Sequence, residues 1–189
     1  MKLLGSSFLF AILASVLLAQ SLPPGSSGFE QKLHRLEVNG ATRAPDQTPT
    51  EFSEQEINEY VGSDQVQLPE GVQSVKFQAQ PEIITANTRV DFDKLRAGKM
   101  SANPLLSMFS GVHDVVVTAH AHGVGRKGYV NVDTVTLDDV EIPRFVLEAF
   151  VEKYVQPKYP QVGIDSVFAL PDRIDTAKVG LHKLTLTQK

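Results

Sequence analysis

Hydrophobic positions along this chain keep two different rhythms. Alternation at every second residue marks strands: Val75, Phe77 and Ala79 within 72–80, then Ile84, Ala86, Thr88, Val90 and Phe92 within 82–92. Pro81 lies between these runs, where a turn or strand end tolerates it. Two further strands are predicted from "DVVVTAHAH" at 114–122 and "GYVNVDTVTL" at 128–137. Two more close the chain, "DSVFALP" at 165–171 and "IDTAKVGLHKLTLTQK" at 174–189. In the last run the apolar phase slips from Val179 and Leu181 to Leu184 and Leu186, which predicts a bulge near Gly180–Lys183.

Helical spacing appears three times. Val146, Leu147, Phe150, Val151 and Tyr154 make one stripe, with Pro143 in the first turn and Pro157 and Pro160 beyond the end, predicting a long amphipathic helix over 143–155. Phe29, Leu33 and Leu36 share one side of a short helix over 29–38. Ser53 and Glu56 form a capping box, and Phe52 and Ile57 the accompanying hydrophobic staple, so a helix starts sharply there. Ile57, Tyr60 and Val61 share its face, and Gly62 suits its exit. Residues 93–111 have no clean period: Asn103-Pro104 either opens a short helix through Phe109 or lies in a connection with an apolar tip. Strands and helices thus come in groups, which predicts an α+β fold with a mostly antiparallel sheet.

Composition narrows the chemistry. The first residues carry only Lys2 before an uncharged apolar run, Leu3–Ala19, followed by the small residues of "AQS" and the helix-breaking "LPPGSSG". Residues 1–21 therefore read as a signal peptide, with an N-terminal anchor as the alternative, and either places the domain in an exported, periplasmic or extracellular setting. Residues 22–49 read as a linker holding the first short helix, and 50–189 as a single domain. Cysteine is absent, which excludes disulfides, thiolate metal sites and a lipidated cysteine. The formal charge of −4 becomes −5 without Lys2. A mildly acidic domain with no basic cluster gives no reason to expect nucleic acid as a partner.

"HAHGVGRKG" at 120–128 contains a G-x-G-x-x-G, but a strand follows it rather than the helix that a dinucleotide's pyrophosphate requires. Its glycines fit a hairpin turn instead. With the turn centred between Gly125 and Arg126, His122 faces Tyr129, His120 faces Asn131 and Thr118 faces Asp133. The opposite, apolar face carries Val115, Val117, Ala119 and Ala121 against Val130, Val132, Thr134 and Thr136. His120, His122 and Asp133 form the single metal-type constellation, without a further ligand or a supporting partner. A metal-dependent hydrolase using them is the last of the functional readings. No nucleophile, P-loop or cofactor motif occurs, so the chain reads as non-enzymatic with no cofactor.

The stretches "FSEQEINEYV", "LPEGVQSVKFQ", "TRVDFDKL", "VTAHAHGVGRKGYVNVDTVTLDDVEIPRFVLEAFVEKYV" and "LPDRIDTAKVGLHKLTLT" resemble LmeA-like bacterial envelope proteins across roughly residues 50–187. That group is similar to single modules of the tubular lipid-binding (TULIP) superfamily. The resemblance implies a curved antiparallel sheet packed around one long helix, with an apolar groove for a lipid or other acyl-chain ligand. It supplies no catalytic residues. Val75, Phe77, Val90, Phe92, Val115, Val117, Leu147, Phe150, Val151 and Tyr154 are the candidate groove residues. Leu105, Leu106, Met108 and Phe109 are the candidate groove mouth or peripheral membrane contact. The alternative is a structural or interaction protein of the envelope, in which the same residues fill a dry core.

Overall fold

A computed structural model of the chain describes residues 28–95, 106–160 and 162–189. Four α-helices and nine strands are resolved among them, along with one π-helical turn. The helices are α1 (Gly28–Gly40), α2 (Glu54–Val61), α3 (Phe92–Leu95) and α4 (Arg144–Phe150). The strands are β1 (Thr50–Ser53), β2 (Val72–Gln80), β3 (Ile83–Asp91), β4 (Val112–Val124), β5 (Lys127–Leu137), β6 (Val140–Glu141), β7 (Asp165–Ala169), β8 (Ile174–Gly180) and β9 (Lys183–Gln188). The π-helical turn, Val151–Val155, continues α4.

All nine strands join one antiparallel sheet that forks. β4 pairs along its length with β3 on one side and β5 on the other. Where β3 ends, β8 takes over that side of β4, with His122 opposite Lys178 and Gly123 opposite Ala177. β5 divides its outer side likewise, between β7 at one end and β6 at the other.

This architecture corrects the expectation of a curved sheet around one long helix. The sheet is open and uncurled, because partners change along β4 and β5 instead of continuing to closure. The helices are several and short. The 143–155 stripe begins as α4 but passes at Val151 into i→i+5 bonding, with Gln156 N–H donating to Val151 O at 2.9 Å. Helical cover is divided accordingly. α1 and α2 pack with β8, β9 and one end of β2–β5 around Phe29, Leu36, Phe52 and Ile174. α3, α4 and the π turn pack with the other end around Phe92, Leu106, Phe109 and Phe150.

Local chemistry explains the elements. The capping box is complete: Ser53 Oγ accepts from Glu56 N–H at 3.2 Å, and Glu56 Oε2 accepts from Ser53 N–H at 2.8 Å. Lys32 on α1 bonds Glu56 Oε1 at 2.7 Å, tying the helices together and holding the Glu56 carboxyl below its ordinary range. The β4–β5 turn has positive φ at Gly125 (59°) and Arg126 (63°), as a two-residue hairpin requires.

Three further expectations change. The slip near Gly180–Lys183 is a hairpin turn, with Gly180 opposite Lys183 and His182 at φ 53°, not a bulge. A bulge does occur in β5: Ala119 faces Val132 but Thr118 faces Thr134, so Asp133 is the extra residue and does not oppose Thr118. Thr134 and Thr136 consequently leave the apolar face, and Val135 and Leu137 are buried in their place. The expectation of membrane anchoring is corrected as far as the described residues go: none of their helices is long and apolar enough to cross a membrane. The segment 1–21, read as signal or anchor, lies outside the described residues.

Candidate functional site

A cavity of about 140 Å³ separates the sheet from α4 and the π turn. Valine builds its sheet wall: Val72 and Val75 from β2, Val90 from β3, Val115 and Val117 from β4, and Val130, Val132 and Val135 from β5. β-Branched side chains suit strands but are short. A wall made mostly of them stops short of the helix opposite, and the space is left over. Leu147, Phe150, Val151 and Val155 form the facing wall, while Phe92, Leu95 and Phe109 line it from α3 and the following segment.

Polar groups at the cavity are satisfied from within. Thr88 Oγ1 donates to Val115 O at 3.0 Å, and Ser166 Oγ bonds both the N–H and the carbonyl of Gly163 at 3.2 Å. Nothing in this lining is arranged as an acid, base or nucleophile. A cavity lined by Leu, Ile and Phe, of about 150 Å³, stays dry and takes benzene. The present one has a similar volume and a similarly apolar lining.

The structure brings nine of the ten candidate groove residues to this cavity: Val75, Phe77, Val90, Phe92, Val115 and Val117, with Leu147, Phe150 and Val151. Tyr154 is buried beside it and does not line it. The wider π turn presents Val155 to the cavity, with Tyr154 beyond it. Of the candidate mouth, Leu106 and Phe109 are buried at 2% exposure and Met108 packs against the same cluster, so they are core and not a protruding tip. Leu105, like the first part of the helix expected from Asn103, lies outside the described residues.

Val135, Leu137, Val155 and Val162 line the cavity but escaped the sequence reading. For Val135 and Leu137 a signal existed. The apolar phase of β5 slips between Val132 and Val135, which is how a one-residue bulge looks in sequence.

The metal-type constellation does not converge. His120 Nδ1 bonds Asp133 Oδ2 at 2.7 Å, whereas His122 stacks on Tyr129 with ring centroids 4.9 Å apart. Among the described residues no three His, Cys, Asp or Glu side chains are grouped to hold a metal ion. Two glycines of the same stretch, Gly123 and Gly128, serve packing. A Cβ on Gly123 would meet Ala177 Cβ at 2.7 Å, and one on Gly128 would enter the Phe168 ring.

Compared with known protein families, curated proteins and solved structures, the chain matches none.

Proposed function

We propose that this protein is a non-catalytic binder of a small apolar ligand, an acyl chain of about six carbons or a group of similar bulk, held in the cavity beneath α4. One observation carries the reading: a contiguous cavity of about 140 Å³ with an almost wholly apolar lining. Filling it would remove apolar ligand surface from water and restore the dispersion contacts its lining lacks. Its size suits part of a chain or a short one, not a whole diacyl lipid.

The test is uptake of benzene and of heptanoate by the delipidated protein, followed by NMR shifts of the valine methyl groups. Saturable shifts confined to Val75, Val117, Val132 and Val151 support the reading. Val117→Phe, which fills the space, should abolish them while leaving the fold intact. Absence of saturable binding of either probe to the folded wild-type protein would overturn it.

A further inference from the structure

A second, smaller cavity of about 10 Å³ adjoins the first, lined by Glu70, Leu95, Tyr154, Val155, Lys158 and Tyr159. Leu95 and Val155 line both, so the two are divided only by these side chains. Tyr154 is 6% exposed, and its buried hydroxyl has no hydrogen-bond partner among the described residues. An unmade bond at a buried hydroxyl is costly and calls for an explanation. Lys158 stands on the same small cavity. Its ammonium donates to Glu70 Oε2 at 3.1 Å and to Leu95 O at 3.3 Å, which uses two of its three donors. The Tyr154 and Lys158 side chains, each with a donor to spare, therefore line one space at the end of the apolar cavity; Tyr154 stands on the π-helical turn, of the kind that recurs at functional sites, and Lys158 three residues beyond it.

Resting on the cavity reading above, we infer that the ligand is an acyl compound whose head presents an acceptor oxygen, bound by the Tyr154 hydroxyl and the free Lys158 N–H while its tail occupies the larger cavity. The head oxygen belongs either to a free carboxylate or to an ester carbonyl; both accept the same two bonds. Glu70 already offsets the lysine charge, so recognition rests on the donors more than on net charge. Room for about one water at the head matches a single oxygen. Leu95 and Val155 must shift aside for the acyl chain to pass from one cavity to the other.

Three probes on the wild-type protein and on Tyr154→Phe test this by calorimetry: benzene, heptanoate and methyl heptanoate. Benzene, a tail without a head, should bind both proteins equally. Heptanoate or its methyl ester should bind Tyr154→Phe about tenfold more weakly, the loss expected for one buried hydrogen bond to a ligand oxygen. Lys158→Met should weaken heptanoate more than the ester if the carboxylate is the natural head, and both alike if the carbonyl is. Equal affinity of wild type and Tyr154→Phe for both acyl probes, with benzene still bound, overturns the inference and leaves the cavity reading standing; that is the result expected if a water merely satisfies the hydroxyl. Failure of all three probes to bind overturns both.

Discussion

The side-chain amide of Asn58 on α2 pairs with the backbone of Phe77 on β2 as a neighbouring strand would. Its Nδ2 donates to Phe77 O at 2.8 Å and its Oδ1 accepts from Phe77 N–H at 2.7 Å. One turn earlier, Glu54 Oε2 accepts from Ala79 N–H at 2.8 Å. β2 lies at one end of the sheet path, so α2 covers an edge that would otherwise offer unpaired N–H and C=O groups to another chain.

Asn58→Ala should therefore destabilise the fold by about 1–3 kcal/mol, since two part-buried backbone groups lose their partners. Urea denaturation measures the loss. Light scattering at raised concentration should show greater self-association.

Tyr154→Phe should act in the opposite sense in the ligand-free protein. Removing a buried hydroxyl that has no partner among the described residues relieves a penalty of about 1–3 kcal/mol and leaves the ring packed against Phe150, 5.3 Å away. A higher urea midpoint with unchanged denaturant dependence is the expected outcome. No gain would mean that the hydroxyl is satisfied in solution.

His113 supplies a pH dependence. Its Nδ1 faces Asp138 Oδ2 at 2.5 Å and its Nε2 faces Ser110 O at 2.6 Å. Both partners only accept, so both ring nitrogens donate when the ring is protonated. The Asp138 hydrogen bond, reinforced by the Ser110 carbonyl and opposed by burial, raises the His113 pKa above its ordinary 6.5. A raised folded value means that this stabilisation is complete below about pH 6.5 and is lost as pH climbs through the folded pKa. Thermal melts across pH 5.5–8.5 (roughly the span over which histidine titrates) should show stability falling with rising pH. His113→Gln should flatten that dependence.

The glycines of the hairpin should separate by mechanism. Gly125 has open space around it and a φ of 59°, so Gly125→Ala should cost about 1 kcal/mol through backbone strain. Gly128→Ala should cost more, about 1–3 kcal/mol, because its methyl must displace the Phe168 ring. Denaturation of the two variants side by side checks the order.

Much of this was readable from residue order, and the failures are instructive. Ser53, Glu56, Phe52 and Ile57 announced α2 because capping is local chemistry. The alternation of β2, β3 and β4 placed Val75, Val90, Val115 and Val117 on the cavity side because a strand's period leaves no choice of face. The phase slip, however, has two meanings. In β5 it marks a bulge at Asp133, while between Val179 and Leu184 it marks a turn, and nothing local distinguishes the two. β1 carries no strand signal of its own because its pairing with β9 spans more than a hundred residues: Phe52 lies opposite Leu184. The π turn cut the α-helical part short at Phe150 without a proline or glycine to signal it. The cavity itself is a property of distance between layers, which no one-dimensional pattern records.

The space between the valine wall and α4 also has a mechanical consequence. Unfolding would eliminate that void and reduce the volume of the system, so hydrostatic pressure should destabilise the α4 end of this molecule first. The end built around Phe29, Phe52 and Ile174 should yield later. A ligand lodged under α4 would work there as a prop, raising the pressure that this end withstands.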